Sequence, residues 1–468
     1  MTRSGPVHRS EERPPAPAGP PRDVVPLRTA TKEWFLISLQ TFGGPAGQIA
    51  LMQHKLVDEK RWIGQKRFLH ALNYCMLLPG PEAQQLAIYT GWLLNGARGG
   101  LIAGTLFVLP GMVALLALSI LYVALGDTTV VAAIFAGLAP AVIAIVVQAV
   151  HRVAKRSLTH PLLVALAVAA FLALTVFAVP FPVVVLGAGV IGWLFSRWVP
   201  TLREIAAHSS ADGPEPLISD QALHQSLPSG RRNLTVIVAG LALWTFPIVA
   251  VALLVDSTTV FLDQGLFFSG AALVTFGGAY AVLAYVAQQA VGVYGWLAPG
   301  EMVRGLALAE TTPGPLIMVV QFVAFLGAFR DPGSLNPWAA GVLASLLTTW
   351  VTFVPCFLFV FLGAPYVERL RNNQHLTAAL AGITAAVVGV IASLGVYFAV
   401  NTLFSATSRI EYGPVSLEVP VLASWNPVAL ALTVLALALM LWRRWSPLRT
   451  LGVCALIGAA IGLVITLA

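Results

Sequence analysis

The sequence predicts an all-α polytopic membrane protein built from two related halves, arranged as an inverted-topology repeat, with helices broken or re-entrant at two short motifs. Three observations carry this. Of the 468 residues, 58% are hydrophobic and only 10% are Asp, Glu, Lys or Arg, against roughly 25% charged in a soluble domain. Several apolar runs exceed the ~18 residues that mark a membrane span. Finally, motifs of the first half return in the second in one gapless register. Thr41-Phe42-Gly43-Gly44 recurs as Thr275-Phe276-Gly277-Gly278, Trp62 as Trp296, and Pro79-Gly80-Pro81 as Pro313-Gly314-Pro315.

The elements follow in chain order. Residues 1–29 are rich in proline and mixed charge and read as a disordered cytoplasmic tail. The first repeat, 30–198, holds apolar segments at about 30–53, 66–94, 98–126, 129–150, 160–179 and 181–198. A polar stretch, 199–232, contains Ser209, Ser210, Asp212, Gly213 and Pro214 and reads as a cytoplasmic linker. The second repeat, 233–468, holds segments at about 233–255, 260–287, 301–328, 335–363, 375–402, 419–441 and 447–467. Its extra first segment reverses the parity. If every segment crosses, the two TFGG motifs enter the membrane from opposite sides, as in many secondary transporters.

Charge constrains the topology further. The net charge of +7 comes from basic residues set between apolar runs, where they fix orientation rather than hold a nucleic-acid backbone. The tail, Arg152-Lys155-Arg156, the linker and Arg443-Arg444 place the N-terminus in the cytoplasm. Lys55, Lys60, Arg61, Lys66 and Arg67 dissent if every segment crosses. Re-entrant hairpins at the TFGG and PGP segments would bring these five inside and put Arg304 outside; kinked full spans are the alternative. Cys75, Cys356 and Cys454 lie far apart in apolar segments, and the histidines form no ligand spacing, so neither a metal nor a cofactor is expected. The first thirty residues hold no apolar core that would make a cleavable signal.

The chemistry gathers at the breaks. Pro79-Gly80-Pro81 and Pro313-Gly314-Pro315 stop an incoming helix, and the second proline suits the first position of an outgoing half-helix. Such a half-helix aims unpaired N–H groups and a positive dipole end at membrane depth, which attracts an anion. Gly43-Gly44 and Gly277-Gly278 allow close approach of backbone or ligand. Gln84 and Gln85 follow the first PGP, and Thr311 and Thr312 precede the second. These make a candidate substrate site, with the Thr312 hydroxyl as the favoured donor to an oxyanion. Glu82 and Glu310 are costly carboxyls at membrane depth and candidate coupling groups; capping for Glu82 and packing for Glu310 are the simpler readings. Leu316 stands where the first half has Glu82, leaving the second tip without a competing negative charge. Arg304, Lys66 and Arg67 are candidates for steering anions, with snorkelling and topology signalling as their plainer roles. Trp62 and Trp296 read as interfacial anchors.

The same residues resemble the chromate ion transporter (CHR) family. The resemblance rests on Phe42-Gly43-Gly44-Pro45, Glu59-Lys60-Arg61-Trp62 and Leu78-Pro79-Gly80-Pro81-Glu82-Ala83 with Gln85-Leu86-Ala87. In the second half it rests on Phe276-Gly277-Gly278, Tyr280-Ala281-Val282-Leu283 and Ala309-Glu310-Thr311-Thr312-Pro313-Gly314-Pro315. It covers nearly the whole membrane region and implies a long-chain, two-domain member, a secondary transporter of the plasma membrane that exports chromate, a tetrahedral dianion like sulfate, and confers chromate resistance. Ala279, Ala284, Gln288 and Gln48 depart from the family pattern and leave the anion and coupling ion open. A carrier of sulfate or another anion is the alternative within transport. A membrane-embedded enzyme would need clustered nucleophile, base or metal ligands, and neither Glu82 nor Glu310 has a His or Asp sequence neighbour. A homodimer is compatible with the small-residue runs, which also suit packing within one chain.

Overall fold

The computed structural model describes residues 24–42, 44–126, 128–195, 217–218, 223, 229–254, 259–276, 279–366, 374–412 and 415–467. Gly43, Gly277, Gly278, most of the tail and most of the linker lie outside the described residues. The first half comprises α1 (Leu27–Ser38), α2 (Gly44–Gln53), α3 (Gln65–Cys75), α4 (Glu82–Leu125), α5 (Thr129–Ser157), α6 (Pro161–Thr175) and α7 (Phe181–Phe195). The second comprises α8 (Gly230–Leu254), α9 (Thr259–Leu273), α10 (Ala279–Gly292), α11 (Glu301–Thr311), α12 (Val319–Arg330), α13 (Pro337–Gly363) and α14 (Gln374–Leu403). It ends with α15 (Pro427–Leu437) and α16 (Pro447–Leu467).

Helix lengths follow from the sequence punctuation. Among the described residues six helices are long and apolar enough to cross a membrane: those over Glu82–Leu125, Thr129–Ser157, Gly230–Leu253, Pro337–Tyr366, His375–Leu403 and Pro447–Val464. Around each TFGG and PGP the helices are short instead. The 11 residues of α11 rise about 16 Å, half of the ~30 Å hydrocarbon core. α4 is really two helices, since Asn95 (φ −139°) and Gly96 (φ +59°) are non-helical inside it. That kink is held from outside. Asn95 Nδ2 donates to Val25 O at 2.5 Å and Val24 N to Leu94 O at 3.1 Å.

Three expectations are corrected. The disordered tail assigned to 1–29 stops earlier: Val25 is buried and α1 begins at Leu27. The linker is docked in places, with Leu217 N donating to Arg61 O at 2.8 Å and Leu223 buried in the first half's core. The chain is also not all helical. Thr407–Tyr412 (β1) and Val415–Pro420 (β2) form an antiparallel hairpin, on a stretch that reads in the sequence as a plain loop between apolar segments.

The halves pack by exchange. α5 of the first half lies against α15 and α16 of the second, while α14 of the second half lies against α6 and α7 of the first. Small residues allow these contacts: a Cβ on Gly192 would sit 3.0 Å from Gly382 Cα, and one on Gly137 would sit 3.0 Å from Gly458 Cα. In a bilayer, where tails are as apolar as Leu, this close approach and its dispersion contacts replace the hydrophobic drive. One large buried cluster runs from Val108 through Ala307 to Cys454 and so belongs to both halves. At the edge, Lys55 Nζ donates to Glu59 Oε2 at 2.6 Å; the hydrogen bond draws the Glu59 carboxyl below its usual range and lifts the Lys55 amine above its own.

Candidate functional site

The two PGP breaks and the two TFGG breaks meet in crossed pairs. Gly80 N donates to Thr275 O at 2.8 Å, and Gly314 N donates to Thr41 O at 2.9 Å. Each PGP glycine therefore satisfies its backbone on the TFGG turn of the other half. Both sit at positive φ, +119° for Gly80 and +99° for Gly314, where a side chain is strained. Thr41 Oγ1 adds a second acceptor for Gly314 N at 3.1 Å, and Gln48 Nε2 donates to Gly314 O at 2.5 Å. In the first half Gln85 Nε2 donates to Pro79 O at 2.6 Å. Thr41 and Thr275 are fully buried.

This pairing brings four helix starts together. A narrow chamber, with room for about one water molecule, is lined by Pro45, Gln48, Pro81, Glu82, Ala83, Ala279, Pro315, Leu316 and Ile317. Those residues open α2, α4, α10 and the 3₁₀ turn Leu316–Met318 that leads into α12. Pro81 and Pro315 occupy the N-cap position, one residue earlier than the first helical position expected, and Glu82 follows as the first helical residue. The N–H groups of a helix's first turn have no partner within the helix and favour negative charge nearby. Glu82 is the only acidic side chain in this lining. Gln84 is fully buried, and among the described residues neither its Oε1 nor its Nε2 has a partner; the free Oε1 of Gln48 is in the same state.

A second narrow cavity, likewise with room for about one water molecule, shares Pro45 with the chamber, and Gly44, Ile145, Gln148, Ala149, Arg152, Tyr280, Glu310 and Pro447 complete its wall. Tyr280 Oη donates to Glu310 Oε1 at 2.5 Å. Arg152 Nη2 donates to Gln148 Oε1 at 3.3 Å.

The other expected residues divide. Thr311 and Thr312 lie beside the second PGP, but their hydroxyls donate to Leu308 O at 2.8 Å and Ala309 O at 2.9 Å, and neither is in the wall of these two cavities. Pro79, Gly80, Pro313 and Gly314 build the turns behind the chamber rather than its wall. Arg304 lies away from both cavities. Its Nη1 donates to Tyr122 Oη at 3.1 Å, in a cluster where Arg330 holds Glu301 by two bonds of 2.7 Å. Lys66 and Arg67 stand in the first turn of α3, also outside both. Sequence reasoning passes over Arg152, Gln148 and Tyr280 as site residues. For α5 a signal is present: Ile145, Gln148, Ala149 and Arg152 share one helix face at i, i+3, i+4 and i+7.

The chromate transporter family model matches residues 29–193 and 262–462, one segment in each half. A chromate transport protein of Pseudomonas aeruginosa is 33% identical over 358 residues, which is 75% of this chain and 76% of that protein. One from Cupriavidus metallidurans is 28% identical over 367 residues, 78% of this chain and 80% of its own. An uncharacterized transporter of Methanocaldococcus jannaschii is 24% identical over 377 residues, 80% of this chain and 85% of its own. No solved structure matches. With both halves of the chain matched and a relative this similar along three quarters of its length, the chain belongs to the chromate transporter family of multi-pass membrane transporters.

Proposed function

We propose that the protein exports chromate or a related tetrahedral oxyanion across the plasma membrane by alternating access, with the chamber of four helix starts as its central site. The single observation that carries this is the crossed pairing of Gly80 with Thr275 and of Gly314 with Thr41. It turns two distant sequence breaks into one pocket rich in unpaired N–H dipoles, the arrangement that holds anionic groups in transporters with broken helices. The symmetry of the pairing supports an inverted repeat, and the basic residues between the apolar segments support a cytoplasmic N-terminus. Alternating access then consists of the two sets of short helices rocking about the crossed bonds. The apolar outer faces of α7 and α8 are solvated by lipid tails as readily as by a second copy, and the mechanism needs one chain.

Within the chamber the backbone donors face the oxyanion; of the wall side chains Gln48 serves it with its second Nε2 proton, the first being held by Gly314 O, and the unpartnered Nε2 of Gln84, buried behind the wall, is a further donor. Thr312 contributes through the turn it forms rather than through its hydroxyl proton. Glu82 is the one group there that repels an anion when ionised, so it takes up a proton as the anion enters and releases it as the anion leaves. Export runs with an inside-negative potential, which supplies ~2.3 kcal/mol per charge per 100 mV. For a dianion this is about twice as much, sufficient without an obligatory proton.

The test is uptake of radiolabelled chromate into everted membrane vesicles held at an inside-positive potential, with sulfate as competitor. Saturable uptake that Gln84→Leu and Gly314→Ala weaken at equal protein level supports the reading. Uptake by Glu82→Gln that keeps the full pH dependence of the wild type refutes the proton role. Sulfate uptake without chromate uptake transfers the site to sulfate, and uptake of neither anion overturns the oxyanion assignment.

A further inference from the structure

We propose that the cavity between Arg152 and Glu310 is a second oxyanion subsite, where Arg152 receives the anion and Glu310 must be protonated for it to stay. This rests on the oxyanion reading above and extends it from the chamber to its approach. The cavity and the chamber share Pro45 in their walls and so lie side by side. The walls are otherwise built from the starts of α2 and α16, through Gly44 and Pro447, and from one face of α5.

The charges make the case. Arg152 lines this cavity with no ion pair among the described residues; its hydrogen bond there is to a neutral amide, Gln148 Oε1 at 3.3 Å. A guanidinium carries five donors in a fixed fork that matches two oxygens of a tetrahedral anion. The counter-charge in the same lining is Glu310, whose Oε1 accepts from Tyr280 Oη. From the elements packed around it, the ionisable groups that share its cavity are Tyr280 on α10 and Arg152 on α5, whereas α2 and α16 offer only Gly44, Pro45 and Pro447.

Arg152 therefore has two clients. With the cavity empty of anion it balances an ionised Glu310. When an oxyanion binds the exposed guanidinium, an ionised Glu310, itself buried, would share the cavity with it, and the like charges repel. Protonation of Glu310 removes the conflict: one O–H bond forms on the carboxyl as a bulk hydronium ion gives up its proton and leaves as water, and Tyr280 Oη keeps its bond to the other oxygen. Loading of this subsite is thus linked to uptake of one proton, independent of any exchange at Glu82.

The experiment uses the purified full-length chain in proteoliposomes and reads initial rates of radiolabelled chromate uptake against concentration, from acid to alkaline pH. Arg152→Gln should raise KM about tenfold, the ratio one charge-assisted bond supplies, with the maximal rate within about twofold. Arg152→Lys, which restores a point charge, should recover most of the loss. In a Glu82→Gln background, which removes the other proton-binding carboxyl, KM should rise as pH rises; in Glu82→Gln/Glu310→Gln it should be flat. Arg152→Gln with a KM within about twofold of wild type, or Glu82→Gln/Glu310→Gln with the pH dependence of Glu82→Gln, overturns the subsite while leaving chromate transport standing. A wild type that carries neither chromate nor sulfate overturns both this proposal and the reading beneath it.

Discussion

The cluster around Glu301 tests the structure without reference to transport. Its carboxylate, 9% exposed, accepts from Arg330 Nη1 and Nη2 at 2.7 Å each, from Tyr122 Oη at 3.0 Å and from Ala298 N at 2.8 Å. It ties α4 of the first half to α11 and α12 of the second. Glu301→Ala removes four acceptor contacts and leaves the Ala298 N–H without one. Breaking a fully buried pair costs roughly 3–5 kcal/mol. Here the Arg330 side chain is 44% exposed, so water recovers part of its solvation, and the expected loss is about 2–3 kcal/mol. The pairwise share comes from a double-mutant cycle with Arg330→Ala, read by equilibrium unfolding in mixed micelles titrated with SDS. A coupling of about 1–2 kcal/mol is expected, since a bidentate charge-assisted bond is stronger than a neutral one. Glu301→Gln should fall between wild type and Glu301→Ala because one carbonyl oxygen survives. A coupling below about 0.5 kcal/mol would refute the geometry and make the pair an ordinary solvated contact.

Three more outcomes follow from other parts of the molecule. Gly80→Ala should harm the protein more than Gly314→Ala: both positions are at positive φ, a strain of about 1–3 kcal/mol, but a Cβ on Gly80 also comes within 2.9 Å of Cys356 Sγ, against 3.3 Å to Gly111 Cα for Gly314. The yield of folded monodisperse protein in detergent reports it. Thr41→Val should lower stability more than Thr275→Val, by about 1 kcal/mol in the same unfolding titration, because the Thr41 hydroxyl accepts from Gly314 N while that of Thr275 only bonds back to Ala271 O. Gly382→Leu should prise α14 from α7, because even a Cβ at that position would lie 2.9 Å from Gly192 Cα; loss of a disulfide between cysteines placed at neighbouring positions of the two helices is the readout.

The breaks are legible in the sequence because proline and glycine act locally. Pro79-Gly80-Pro81 stops a helix whatever surrounds it, and the helices do end and restart around both PGP stretches. The partner of each break is not legible. Gly314 finds Thr41 across 273 residues, and no periodicity encodes which turn a lone N–H will choose. Arg304 shows the same limit. Its sequence distance to Pro313 suggests anion steering, but its donor atom lies against Tyr122, 182 residues away. Arg152 escapes notice for another reason, since a basic residue at a helix end already has an explanation as a topology signal. Thr311 and Thr312 read as free donors, whereas in a helix a threonine hydroxyl commonly turns back to a carbonyl of its own preceding turn. The hairpin of β1 and β2 does carry a signal, alternating Ser408, Ile410 and Tyr412 ahead of Gly413-Pro414, but it falls between apolar runs that dominate the pattern.

The exchange of helices between halves also sets a schedule for biogenesis. Gly137 on α5 packs against Gly458 on α16, and at roughly 5–20 residues per second the ribosome needs roughly 15–60 s to make the chain between them. For that time α5 stands in the bilayer without its final neighbour, its small-residue groove filled by lipid tails. The arrival of α16, not the completion of the first half, closes the groove. Deleting the last helix is therefore a lesion in the middle of the molecule, and a nascent chain stalled near residue 440 should be a substrate for membrane quality control even though its first seven helices are finished.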